Sequence, residues 1–158
     1  MKSMKQITAL VHACDCERTI GRALESLRVC NEVVVVDGGS RDQTAHFARQ
    51  FGARLIVANP ADADPSRAFD CAHDWIFWLR PEEAAAESLE AGILEWRLSE
   101  DDGAPAYRVA VRQEVDGGWK SLAPELRIVH RRRVAWRDGE PLVTGEIPLF
   151  HGEILRLK

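Results

Sequence analysis

A run of four valines, Val33-Val34-Val35-Val36, ends on Asp37 and is followed at once by Gly38-Gly39. Four β-branched residues without polar alternation read as a strand covered on both faces, the condition of a strand inside a parallel sheet. Parallel strands need long crossover connections, so this one segment commits the chain to alternating strands and helices. It also fixes where a ligand would sit, because open α/β sheets bind at the carboxyl ends of their strands, where Asp37 falls. The double glycine permits an abrupt turn, and Ser40 with Gln43 three residues on reads as a capping box opening the next helix.

The rest of the first hundred residues agrees with that commitment. Residues 7–13 read as a first strand, and in residues 19–27 Ile20, Ala23, Leu24 and Leu27 fall on one helical face. A helix over 42–51 stopping at Gly52, a strand over 54–58, a loop over 59–65, a short helix capped by Ser66 and an apolar strand over 75–79 continue the alternation. Pro81 suits the first turn of a long helix running through Glu82, Leu89, Ile93 and Trp96. Beyond Gly103 the period changes to two: residues 107–112 alternate, Asp116-Gly117-Gly118 is a hairpin signal, and 126–129 and 134–136 are further strand candidates. These predict an antiparallel extension of a mostly parallel sheet within one domain, residues 1–158.

At 158 residues with a net charge of −4 the chain is sized for one domain and gives no reason to expect nucleic acid as a partner. No apolar run approaches the ~20 residues of a membrane span, so a cytoplasmic location is expected, with peripheral contact at the inner face of a membrane left open. Cys14, Cys16, Cys30 and Cys71 lack zinc-ribbon spacing and read as free thiols, with a Cys14-x-Cys16 and His12 soft-metal site as the lesser reading. A dinucleotide fingerprint after the first strand is absent.

The segment Asp37-Gly38-Gly39-Ser40-Arg41-Asp42-Gln43-Thr44 resembles the Asp-x-Gly-Ser-x-Asp-x-Thr signature of the family 2 glycosyltransferases, inverting enzymes with a GT-A fold. Residues 8–20, with Asp15 and Cys16 in place of Asn and Glu, are similar to the family's first strand and loop. Residues 119–127 resemble the region preceding the Arg-Leu-Phe-Arg pattern in bacterial members that build lipopolysaccharide cores. The resemblance implies a Rossmann-like sheet flanked by helices, with a nucleotide-binding half over 1–100 and an acceptor-side half over 101–158. It further implies a UDP-linked sugar donor, a glycan or lipid-linked acceptor, and transfer with inversion.

Carried over residue by residue, the resemblance assigns Val11, His12, Asp15, Asp37 and Gly38 to the base and ribose, and Arg67 to the diphosphate. An ionised Asp37 is an acceptor only and suits a base N–H. The family's metal-binding Asp-x-Asp falls on Arg80-Pro81-Glu82, followed by Glu83. Arginine cannot ligate a cation, so either Glu82 and Glu83 hold Mg²⁺ or Mn²⁺ weakly or Arg80 supplies the positive charge instead. An inverting transferase needs a base near the acceptor hydroxyl, and Glu125 is the first candidate, with Glu114 and Glu146 behind it. Arg131-Arg132-Arg133 reads as a solvated turn or as a site for diphosphate or anionic lipid, and His151 as a late ligand of the same site or a packing residue. The rival readings are a catalytically inactive module on the same fold, and a nucleotidyltransferase, which would also want acidic metal ligands.

Overall fold

The computed structural model describes residues 4–158. In the first half the chain forms β1 (Ile7–Ala13), α1 (Ile20–Glu25), β2 (Glu32–Asp37), α2 (Thr44–Phe51), β3 (Arg54–Val57), a 3-10 turn at Ala68–Asp70 and β4 (Trp75–Trp78). β1 lies between β2 and β4, parallel to both, and β3 runs parallel outside β2. Val34, Val35 and Val36 of the valine run are buried, with Val33 half-buried at its start: Val35 joins Ala9, Val11 and Leu24 in the larger core, while Val34 and Val36 join Leu10 and Ile76 on the opposite face. Successive residues of one strand thus serve two cores. Gly52, in the left-handed region at φ 98°, ends α2.

The second half contributes β5 (Glu83–Ala85), α3 (Glu87–Leu98), β6 (Ala106–Val115), β7 (Gly118–His130), β8 (Ala135–Arg137), β9 (Glu140–Leu142) and β10 (Leu149–Arg156). The main sheet has the order β3-β2-β1-β4-β7-β6-β10-β5, with β8 and β9 as a separate two-stranded hairpin. β7 runs antiparallel to both β4 and β6, so the expected antiparallel extension is present. The β6–β7 hairpin turns over Asp116-Gly117, with Val115 opposite Gly118.

Two local expectations are corrected. The helix does not start at Pro81: Glu83–Ala85 is a strand paired antiparallel with Ile154–Arg156 of β10, and α3 begins only at Glu87. The deciding hydrogen bonds come from a segment seventy residues away, which no local period can report. Nor does the capping box form, because both the amide and hydroxyl of Ser40 donate to Asp37, and α2 opens at Thr44.

Candidate functional site

The residues of the Asp37–Thr44 signature lace together the two loops that follow β1 and β2. Asp37, opposite Ala13 at the end of β2, accepts both Ser40 bonds on Oδ1, at 3.0 Å from the amide and 2.5 Å from the hydroxyl. Asp42 accepts the Thr44 amide on Oδ1 at 2.9 Å and the Glu17 amide on Oδ2 at 3.1 Å. The Thr44 hydroxyl accepts the Cys16 amide at 2.9 Å, and Glu17 returns a bond by accepting the Gln43 amide at 3.0 Å. Asp15, at φ 48°, accepts the Arg41 amide at 2.7 Å while its own amide donates to Ser40. The hydroxyl of Thr44 is the leading cause that holds the Asp42 carboxyl below its ordinary value.

Beside this clamp lie two hollows at the carboxyl ends of β1, β2 and β4. The larger, about 550 Å³, is walled by His12 and Ser66, by Trp78, Leu79 and Arg80, by Glu125 and Arg127 of β7, and by residues 138–141 of the β8–β9 hairpin. The smaller, about 310 Å³, lies among His12, Val36, Gly38, Asn59 and Arg67. They share His12 and Pro65. The hairpin is moored by Trp136, whose Nε1 donates to the Arg131 carbonyl at 2.8 Å, and its tip leans on Pro65 so closely that a Cβ at Gly139 would fall 2.7 Å from that ring.

Of the residues assigned to the nucleotide, His12, Gly38, Arg67 and Arg80 line these hollows. His12 Nε2 donates to the Ser66 carbonyl at 3.1 Å, and desolvation by burial keeps the ring's pKa below its ordinary value. Arg67 is ion-paired to both Asp62 and Asp70, so its charge is matched within the protein. Val11 is fully buried, and Asp15 lines a separate hollow. Asp37 stands where its strand predicted, but only 6% exposed and turned to Ser40, it lines neither hollow.

The end of β4 carries a lattice of arginine and glutamate where the resemblance implies metal ligands. Glu83 has a fully buried side chain and receives Arg127 in a two-pronged bond, 2.7 Å to each oxygen, with Arg156 Nε at 3.0 Å from Oε1. Glu125, lining the larger hollow, accepts Arg127 on Oε2 at 2.7 Å and Arg156 on Oε1 at 2.9 Å. Burial alone would raise both carboxyls, but the arginine bonds outweigh it and hold them below the ordinary glutamate value. Glu82 lines the separate hollow that holds Asp15 and Asp42, which Glu83 does not line. The donor set therefore does not fit Mg²⁺ or Mn²⁺, which need oxygens free to face the ion. Among the described residues no group of three or more His, Cys, Asp or Glu is placed to hold one.

The remaining candidates lie elsewhere. Glu114 accepts the Lys158 amide, Glu146 is exposed in the loop before β10, and His151 lines a fourth hollow beside Trp96 and Tyr107. The arginine run is not a simple solvated turn. Arg131 is buried against Asp74 and the Ala68 and Cys71 carbonyls, Arg132 also meets Asp74, and Arg133 pairs with Asp101. Sequence reasoning missed Arg127, Arg156 and the 138–141 wall. An arginine set between Leu126 and Ile128 in an apolar run was the available signal for the first; Arg156 offered none.

No family model matches the chain. An uncharacterized glycosyltransferase of Rickettsia typhi is 31% identical over 94 residues, which is 57% of this chain and 32% of that protein. One from Rickettsia felis is likewise 31% identical over 94 residues, 57% of this chain and 33% of that protein. The chain spans about a third of the length of these curated relatives. Among solved structures, a mycobacterial protein superposes with a TM-score of 0.55 at 20% identity, covering 72% of this chain and 43% of that one. Glucosyl-3-phosphoglycerate synthase from Mycobacterium tuberculosis, solved with Mn²⁺, UDP and glucosyl-3-phosphoglycerate, superposes at 0.48 and 19% identity over 70% and 44% of the two chains.

Proposed function

We propose that the chain, which is similar over 57% of its length to a curated glycosyltransferase, is a divergent family 2 glycosyltransferase with a GT-A fold that binds a nucleotide diphosphate sugar, UDP-linked, and transfers the sugar with inversion. The observation that carries the proposal is the pair of neighbouring hollows that share His12 at the carboxyl ends of β1, β2 and β4, with Arg80 lining the larger one. A base and ribose fit the smaller hollow between His12, Gly38 and Asn59; the diphosphate and sugar extend into the larger. Residues 1–100 then form the nucleotide side and 101–158 the acceptor side of one domain.

In a single displacement the acceptor hydroxyl loses its proton to a carboxylate, its oxygen attacks C1 of the sugar, and the nucleoside diphosphate leaves with the bond electrons. Glu125 is the proposed base because it lines the larger hollow ionised. The arginines that keep it ionised also weaken it as a base, which favours the second reading, an inactive binding module. The acceptor is a glycan or lipid-linked hydroxyl met at the cytoplasmic side of a membrane. No helix among the described residues is long and apolar enough to cross one.

A panel of nucleotide sugars, assayed for transfer and hydrolysis with calorimetry of UDP in parallel, tests the proposal. Glu125→Gln is expected to abolish turnover while UDP affinity stays within about threefold. UDP binding without turnover by the wild type on any donor would select the inactive module. An absence of binding to any uridine nucleotide would refute both.

A further inference from the structure

The arginine–glutamate lattice leaves one cation over, and it faces the hollow. Three guanidiniums, Arg80, Arg127 and Arg156, meet two carboxylates, Glu83 and Glu125. Each oxygen of Glu83 already accepts two donors: Oε1 takes Arg127 and Arg156, Oε2 takes Arg127 and the Arg80 amide at 3.0 Å. A carboxylate offers about four lone-pair sites, so none is left for an ion. Arg127 and Arg156 each bond both carboxylates at 2.7–3.0 Å. Arg80 differs: its side chain is 54% exposed and its nearest carboxylate, Glu125, is 4.0 Å away, beyond hydrogen-bond length. Its backbone is nevertheless fixed, because its amide donates to the Glu83 side chain and its carbonyl accepts the Glu83 amide at 3.0 Å.

Resting on the nucleotide-sugar reading above, we propose that this lattice replaces the divalent metal: Arg80 binds the diphosphate directly, Glu83 is the residue that positions it, and donor binding is metal-independent. A guanidinium presents paired N–H donors that match phosphate oxygens and carries its charge at every physiological pH. Asp138 and Glu140 stand on the hairpin wall of the same hollow, so the test includes the ion itself.

Calorimetry of UDP and of uridine, each in EDTA and in excess Mn²⁺, is run on the wild type and on Arg80→Ala, whose exposed side chain can be removed without opening the core. Wild-type affinity for UDP is expected to agree within about twofold in the two buffers, and Arg80→Ala to weaken UDP by about ten- to a hundredfold while leaving uridine unchanged. The inference is overturned if Mn²⁺ tightens UDP on the wild type about tenfold or more, or if Arg80→Ala weakens uridine as much as UDP. Uridine binding with no gain from the diphosphate overturns it too, while the nucleotide reading survives. Binding of neither ligand removes both.

Discussion

Glu83→Gln is the substitution on which the account of the lattice stands or falls. The side chain is completely buried, Arg127 beside it is 5% exposed, and the amide would leave two guanidiniums facing one neutral group. Removing one partner of a buried pair costs about 3–5 kcal/mol. Because the amide oxygen still accepts and Glu125 still faces both arginines, the lower end, about 3 kcal/mol, is expected. In a chain of this size that lowers Tm by about 6–12 °C. Circular dichroism during heating and urea titration measures it, with an unchanged urea slope showing that the native state alone is affected. The double variant Glu83→Leu, Arg127→Met removes both charges, leaves the Arg156–Glu125 bond in place and is expected to lose less than the sum of its singles. A loss under about 1 kcal/mol for Glu83→Gln, the size of a surface pair, would refute the reasoning.

The same residue sets a pH signature. Its folded pKa is depressed, so its contribution is complete above the ordinary glutamate value of 4.5 and is lost as pH falls through the lower folded value. The stability gap between wild type and Glu83→Gln should therefore be constant near neutrality and narrow only below about pH 4.5. A gap that closes above pH 6 would assign the effect to another group.

Three further outcomes follow from the packing. Gly152→Ala should lower stability by about 2–4 kcal/mol in urea titration, since φ is 108° and the added Cβ would lie 2.3 Å from the Leu89 Cα, where α3 crosses β10. Thr44→Val, at a fully buried position, removes the acceptor of the Cys16 amide and should cost about 1–2 kcal/mol and speed hydrogen exchange of that amide. Iodoacetamide should label exposed Cys14 first and spare Cys71 in the native protein, because burial pushes the Cys71 thiol up to about 12; mass spectrometry of the peptides decides it.

How far the sequence could be read depends on the range of the interaction that fixes each element. The valine run, the Asp116-Gly117 turn and the Gly52 stop are decided within a few residues, and each stands where it was read. β5 was read as helix because its partner is β10, which gave no local sign of its own. Ser40 was assigned to α2 because the spacing to Gln43 is correct, yet a carboxylate three residues before it competed for the same hydroxyl and amide. Placement of site residues failed in the same way. The sequence showed that Arg80 stands where the resemblance implies an aspartate, but that Arg127 and Arg156 would arrive from β7 and β10 to saturate Glu83 depends on strand order.

That contrast bears on what the signature means in this chain. Asp37, Ser40, Asp42 and Thr44 meet each other and the amides of Asp15, Cys16 and Glu17, so their residue types follow from loop geometry with no ligand present. A chain can therefore keep the signature for its fold while the metal ligands drift, since the clamp and the lattice share no hydrogen bond. The signature argues for the architecture, and the chemistry has to be argued from the end of β4. There Glu83, which the resemblance aligns with an acid beside the metal ligands, is saturated by donors, and the guanidinium of Arg80, 4.0 Å from its nearest carboxylate, lines the hollow.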